Sequence, residues 1–392
     1  MERIGIYGGT FSPPHVGHLR AAEYARKALD LSKLILIPSN ISPHKTLPPH
    51  APTPAQRLQM LQLAAGDTME VSDLELNRGG VSYTYMTVEQ LKEAYPAQEL
   101  VLLMGTDMFL SFLTWKEPER IYKQSSLGVF YRGDAREAEQ ILQQKKILEH
   151  MGATVYLVEN PVTHISSTQI RRMLVFRCGS EFLPAGIEDY IRRNALYDTG
   201  EDLRKLPMDK LEQVVVGLLK PNRVAHVLGC RDTAAELARR WGADETDAAR
   251  AGLLHDITKA LDGPLQLTLC RDYGMVLSEF FENNPKTLHA LTGSLVAERI
   301  FGENKAVVDA IRSHTTGKPN MNLLEKIIYV ADYMEPNRDF PGVETLRRMA
   351  YTDLDQALKL GLTMTLELLK QQGRDISPES AQALAYLETA GV

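Results

Sequence analysis

Arg3-Ile4-Gly5-Ile6-Tyr7-Gly8-Gly9-Thr10-Phe11-Ser12-Pro13-Pro14-His15-Val16-Gly17-His18 reads as a β-strand that breaks at two glycines and re-enters as a helix. Small residues at the break let backbone N–H groups approach a ligand, and the N-terminus of the helix that follows favours anions. The glycine spacing is neither GxGxxG nor GxxxxGK[ST], so a dinucleotide oxidoreductase or a P-loop enzyme fits poorly. His15 and His18 are three apart and share one face at the helix start, where both can donate to phosphate oxygens.

Working outward, short β-rich runs alternate with amphipathic stretches through the first half of the chain. The runs Arg3–Tyr7, Leu34–Pro38, Glu70–Ser72, Leu100–Met104, Gly128–Tyr131 and Thr154–Val158 are the expected strands. His18–Leu29, Ala55–Ala65, Thr87–Ala94 and Ala135–Glu149 carry apolar residues at three- and four-residue steps, the helical period. Strand–helix alternation implies an α/β doubly wound parallel sheet, with its ligand at the carboxyl ends of the strands. From about Lys210 onward only helical periods appear: Val224–Trp241, Asp247–Leu254, Leu288–Phe301, Lys305–Ser313, Leu323–Met334 and Leu354–Lys370. The polar, Gly- and Pro-containing stretch at 198–207 reads as a linker. The expected organisation is therefore an α/β domain over 1–197, the linker, and an all-α domain over 208–392.

Length and composition agree: 392 residues suggest two or three domains, and 44% hydrophobic with 24% charged residues is ordinary for a globular chain. A formal charge of −6 gives no electrostatic reason to expect nucleic acid or an anionic membrane as partner. Three cysteines without CxxC spacing, no apolar segment behind a basic start, and no apolar run near the ~20 residues of a membrane span point to a cytoplasmic protein with reduced thiols. Oligomeric state is not legible.

A second segment belongs with the first. Ile165-Ser166-Ser167-Thr168-Gln169-Ile170-Arg171 sets hydroxyls ahead of an apolar period, an N-cap signal, and gathers them with an arginine fork in a way that suits a polyphosphate. A plain helix cap would need no arginine. The pair GGTFxPxHxGH and ISSTxIR resembles the nucleotidyltransferases of the HxGH type, which make phosphoanhydrides by adenylyl transfer on a Rossmann-like fold. Residues 38–45 (PSNISPHK), Ser82-Tyr83-Thr84, Met104–Asp107 and Phe112–Lys116 resemble segments of the bacterial nicotinate mononucleotide adenylyltransferases of NAD synthesis. Ser12, Ser42 and Met86 depart from the usual pattern, where Asp, Pro and Asp are common. The resemblance implies that ATP and nicotinate mononucleotide give deamido-NAD and pyrophosphate, with Mg²⁺ bridging the phosphates. It implies an ATP site at Gly8, Gly9, Thr10, Phe11, His15, His18, Gly105, Asp107, Ile165, Ser166, Ser167, Thr168 and Arg171. His15, His18, Lys45 and Arg171 would carry the charge shift, while His44, Lys45, Thr84 and Trp115 would hold the pyridine nucleotide. Phosphopantetheine and nicotinamide mononucleotide remain rival acceptors.

The chain has ten histidines, and from Asp198 onward only four: His226, His255, His289 and His314. Each falls in a helical pattern or at its end, His255 is followed by Asp256, and Asp332 interrupts an apolar helix. A buried Asp is costly unless paired or metal-bound, and four imidazoles with two carboxylates suffice for one or two ions. Any one such histidine alone is more often a satisfied core residue; the ordered set carries the reading. That order, His…His-Asp…His…His…Asp, resembles the HD-domain metal phosphohydrolases. Leu254–Lys259, His314-Thr315-Thr316-Gly317 and Ala331–Arg338 resemble the symmetrical diadenosine tetraphosphate (Ap4A) hydrolases among them. The resemblance implies one ion on His226, His255, Asp256 and Asp332 and a second on Asp256, His289 and His314. Asp256 and Lys259 would be catalytic, and Lys259 and Arg338 would meet the polyphosphate. Iron is the first expectation for the two metal ions, manganese or cobalt could substitute, and zinc is not excluded. Rival readings are another nucleotide phosphohydrolase and a non-catalytic, metal-stabilised nucleotide-binding module.

Overall fold

A computed structural model of the chain describes residues 2–44, 47, 51–66, 68–131, 135–159 and 165–391. It divides into two compact units, one of residues 1–175 and 180–201, the other of 176–179 and 202–392. The passage from Glu201 to Asp202 lies inside the polar stretch 198–207.

The first unit is built on six parallel strands: β1 (Arg3–Gly9), β2 (Leu31–Pro38), β3 (Glu70–Val71), β4 (Glu99–Gly105), β5 (Ser126–Tyr131) and β6 (Val155–Glu159). Their spatial order is β3-β2-β1-β4-β5-β6, the doubly wound order whose switch point falls between β1 and β4. Alternation along the strands divides the core between the two sheet faces. Ile4, Ile6, Ile35, Ile37, Leu100, Leu102, Leu127 and Val129 join one buried cluster. Leu34, Leu36, Val101, Leu103 and Phe130 join the other, with Ala21, Ala22 and Ala25. Gly5 belongs to this close packing, since a Cβ there would stand 2.6 Å from Leu31 Cδ1 and 2.8 Å from Leu34 Cδ1.

The principal helices here are α1 (Val16–Ala28), α2 (Pro54–Ala65), α3 (Thr84–Ala94), α4 (Ala135–His150) and α5 (Ser167–Val175). All six expected strands are present. Their ends move by up to three residues, as at β2, which begins at Leu31 rather than Leu34 because pairing with β1 starts at Arg3. Helix α2 starts at a reciprocal cap between Thr53 and Gln56, with Pro54 in the first turn.

In the second unit every named element of the described residues is a helix. The ones that build the site are α6 (Pro221–Trp241), α7 (Glu245–Leu254), α8 (Leu288–Arg299), α9 (Lys305–Ser313) and α10 (Leu323–Met334). Helix α8 is buried from Leu288 to Ala297, so it is the central element of its unit. Gly252 lets α7 lie against α6, since a Cβ there would be 2.9 Å from Arg231 Cα and 3.0 Å from the Cys230 carbonyl. That close approach brings His255, just past α7, beside His226 on α6. No helix of the described residues is long and apolar enough to cross a membrane.

Candidate active sites

The first unit holds a cavity of about 700 Å³ at the carboxyl ends of β1 and β4. Among the residues expected there, Gly8, Gly9, Thr10, Phe11, His15, His18, His44, Thr84, Gly105, Asp107 and Trp115 line it. So do Ile165, Ser166, Ser167, Thr168 and Arg171. Lys45 lies outside the described residues. Two segments about 150 positions apart thus converge at one opening, as the switch-point rule requires.

The two histidines are fixed by the helix they begin. His15 caps α1, and its backbone N–H donates to His18 Nδ1 at 3.3 Å. With Nδ1 accepting, the neutral His18 ring carries its proton on Nε2. The rings stack with centroids 3.6 Å apart, and a Cβ at Gly17 would come within 3.1 Å of the His15 ring and of Ile165, so glycine belongs between them. Phe11 sits edge-on to His18 at 5.1 Å and adopts φ 49°, a left-handed conformation that an aromatic residue rarely takes.

The second segment is tied to the first. Arg171 donates from Nη1 to the Ser12 carbonyl at 2.8 Å and from Nη2 to Thr168 Oγ1 at 3.0 Å; Ser167 donates to the Pro13 carbonyl at 3.0 Å. Burial lowers the pKa of the Arg171 guanidinium. Trp115 packs on Phe112 and lies 5.0 Å, centroid to centroid, from the His44 ring, so it belongs both to the core edge and to the cavity wall.

In the second unit the four histidines and two aspartates meet. His226 Nε2 is 3.2 Å from His255 Nε2 and 3.1 Å from Asp332 Oδ1. Asp256 divides its oxygens. Oδ2 is 3.5 Å from His255 Nε2 and 3.7 Å from His226 Nε2, whereas Oδ1 is 3.4 Å from His289 Nε2 and 3.8 Å from His314 Nε2. Two triads, His226–His255–Asp332 and His255–Asp256–His314, each offer ligand atoms within 4.8 Å of one another. The outer nitrogens are engaged too: Nδ1 of His255, His289 and His314 lies against the carbonyls of Gly252, Lys286 and Ile311 at 2.7, 2.9 and 2.6 Å. Each ring therefore donates outward and turns a lone pair inward, as a ligating imidazole does.

The electrostatics agree with a cation site. Burial pushes His255 and His289 below the usual histidine range, further for His289 beside Lys259, and takes His314 down to about 4. Burial by itself would raise the two aspartates. Neighbouring His255, Lys259 and His289 hold Asp256, and His226, His255 and Arg338 hold Asp332, well below the usual carboxylate range. Neutral imidazoles around ionised carboxylates are the donor set of a divalent transition metal.

Two family models match: "Cytidylyltransferase-like" over residues 6–173 and "HD domain" over residues 223–337. The protein of Dictyoglomus thermophilum named "Probable nicotinate-nucleotide adenylyltransferase" is 37% identical over 198 residues, 50% of this chain and 99% of that one. "Bis(5'-nucleosyl)-tetraphosphatase, symmetrical" of Bacillus subtilis is 39% identical over 164 residues, 41% of this chain and 87% of its own. Its namesake in Halalkalibacterium halodurans is 41% identical over 172 residues, 44% of this chain and 91% of its own. The chain belongs to both families, one in each half. HD domains bind divalent metal, and the triads described above are groups able to hold it.

Several residues of this fused member of the two families escaped the sequence reading. Arg223 places Nε 2.9 Å from Asp256 Oδ2, with Nη2 on the same oxygen. Its place one turn before His226 was a usable signal. Glu335 accepts from His226 Nδ1, although it stands in a stretch quoted for Asp332. Arg57 is 1% exposed and bonds the carbonyls of Thr10 and Asn40 at 2.9 and 3.0 Å, joining two walls of the first cavity. It occupies an ordinary helical position, and no local pattern marks it.

Proposed function

We propose that the protein is a bifunctional nucleotide enzyme. Its first unit transfers AMP from ATP to nicotinate mononucleotide, and its second hydrolyses Ap4A symmetrically to two ADP. For the first reaction, the convergence of the HxGH and ISSTxIR segments on one cavity carries the reading. A phosphate oxygen of nicotinate mononucleotide attacks the α-phosphorus of ATP; the Pα–O–Pβ bond breaks and pyrophosphate leaves. Mg²⁺ travelling with ATP neutralises phosphate charge. No covalent enzyme intermediate is needed, so the protein's work is positioning and charge stabilisation. His15 and His18 meet the triphosphate as charge moves onto pyrophosphate, and Lys45 adds a cation. Ser167, Thr168 and Arg171 hold the β- and γ-phosphates, Thr84 reads the pyridine carboxylate, and Trp115 stacks on the ring.

For the second reaction, the division of the Asp256 oxygens between two histidine groups carries the reading. It suits a carboxylate shared by two ions, one also on His226, His255 and Asp332, the other also on His289 and His314. Divalent metal ions held there, iron foremost, would activate water at neutral pH and offset the charge of the leaving phosphate. Lys259, Arg223 and Arg338, now on the aspartates, are positioned to take polyphosphate charge once metal occupies those oxygens. We also place the protein in the cytoplasm.

Two assays test this. Pyrophosphate release from ATP should require nicotinate mononucleotide and fail with phosphopantetheine; a preference for phosphopantetheine or nicotinamide mononucleotide overturns the acceptor assignment. After removal of metal and reloading with Fe²⁺ or Mn²⁺, the protein should release ADP from Ap4A. No release with either ion, or faster turnover of (p)ppGpp or a deoxynucleotide, overturns the hydrolase assignment.

A further inference from the structure

The four imidazoles of the second unit are not held alike. His255, His289 and His314 each present Nδ1 to a backbone carbonyl, a neutral acceptor. His226 instead presents Nδ1 to a carboxylate, Glu335 Oε1, at 3.1 Å. Glu335 is fully buried, and its other oxygen accepts from the Asn337 backbone N–H and from Asn337 Nδ2, each at 2.8 Å. Asn337 in turn donates from Nδ2 to the Ala225 carbonyl at 3.0 Å, on the same turn of α6 as His226. Both carboxylate oxygens are thus committed, and the one facing His226 can only accept.

Helix α6 makes room for this carboxylate. Gly229 lies one turn beyond His226, and a Cβ there would overlap Glu335 Oε2 and stand 3.0 Å from Asn337 Nδ2. A buried carboxylate on the outer nitrogen orients an imidazole, sets its tautomer and raises the basicity of its inward lone pair more than a carbonyl does.

We infer that Glu335 is a positioning residue that strengthens His226 as a ligand, making the two ion positions unequal: the one on His226, His255 and Asp332 binds more tightly because of it. The inference rests on the dinuclear reading under Proposed function. Glutamine cannot replace Glu335. With its oxygen toward His226 its amide would face the Asn337 donors, and turned the other way it would donate to Nδ1 and leave the proton on Nε2, where a ligand cannot carry it.

The test is a Mn²⁺ titration of the metal-stripped full chain, followed calorimetrically, with thermal unfolding of the metal-free protein alongside. The wild type should bind two ions; binding of none defeats the dinuclear reading and this inference with it. Glu335→Gln should weaken one of the two ions about 10- to 100-fold and leave the other within about threefold. Gly229→Ala, which adds a helix-favouring residue and disturbs the carboxylate, should produce the same split. In a His226→Ala background, Glu335→Gln should cause no further loss. Two ions bound with wild-type affinities in both variants would overturn the inference while leaving the dinuclear site standing. An equal loss at both positions with a lowered metal-free melting temperature would overturn it in favour of a purely structural role.

Discussion

On the proposed function the two units meet the same chemical problem, a nucleotide's polyphosphate, with opposite devices. The first opens a cavity of about 700 Å³ at the ends of parallel strands and lines it with glycine backbone, hydroxyls, an arginine and two stacked histidines at a helix start. The second closes four imidazoles and two carboxylates into its interior, with His255 and Asp256 fully buried. Where a ligand brings its own cation, a protein need supply only N–H groups, hydroxyls and positive charge. A site that is to hold its own cation needs ligands fixed in tautomer and direction before it arrives, and the packed helices of the second unit fix theirs through the carbonyls of Gly252, Lys286 and Ile311. The difference teaches that histidine count says little by itself: His15 and His18 stack and cap, whereas His226, His255, His289 and His314 converge.

Substitutions and metal removal separate the two devices. Asp256→Ala should bring Ap4A hydrolysis below detection, since both proposed ion positions lose a ligand, and leave adenylyl transfer untouched; paired assays on one preparation check this. Chelation followed by Mg²⁺ alone should restore adenylyl transfer but not hydrolysis, and recovery of both would erase the contrast. His18→Ala should cut adenylyl transfer about 10²- to 10³-fold, the scale of a lost charge-stabilising donor, with hydrolysis unchanged. Arg57→Met leaves the buried carbonyls of Thr10 and Asn40 without their donor; a loss of about 1–3 kcal/mol in the unfolding of the first unit and a raised KM for both substrates should follow. Gly252→Ala forces α6 and α7 apart and should cost about 1–3 kcal/mol in the second unit, with weaker Mn²⁺ binding by titration.

Much of this was legible in the chain. The alternation of β-rich runs with amphipathic stretches and the three-to-four period of the helices follow from side-chain geometry, so the layer plan could be read without coordinates. Strand ends could not, because pairing with a neighbour decides where a strand begins. The six candidate ligands, which the structure brings together, were legible because metal chemistry admits few residue types. Its supports were less so. Glu335 meets His226 across 109 positions and Arg57 meets Thr10 across 47, and a contact between distant positions leaves no local trace.

Residue order alone therefore determined the αβ-then-α plan and the kinds of atom available for phosphate and metal, since periodicity and donor chemistry are local properties. Only the folded chain decided that Asp256 would turn one oxygen to each histidine group, that His18 would spend Nδ1 on its own helix start, and that one imidazole of four would rest on a carboxylate. Those outcomes depend on how closely helices approach, which glycines such as Gly252 and Gly229 permit and which no single segment encodes.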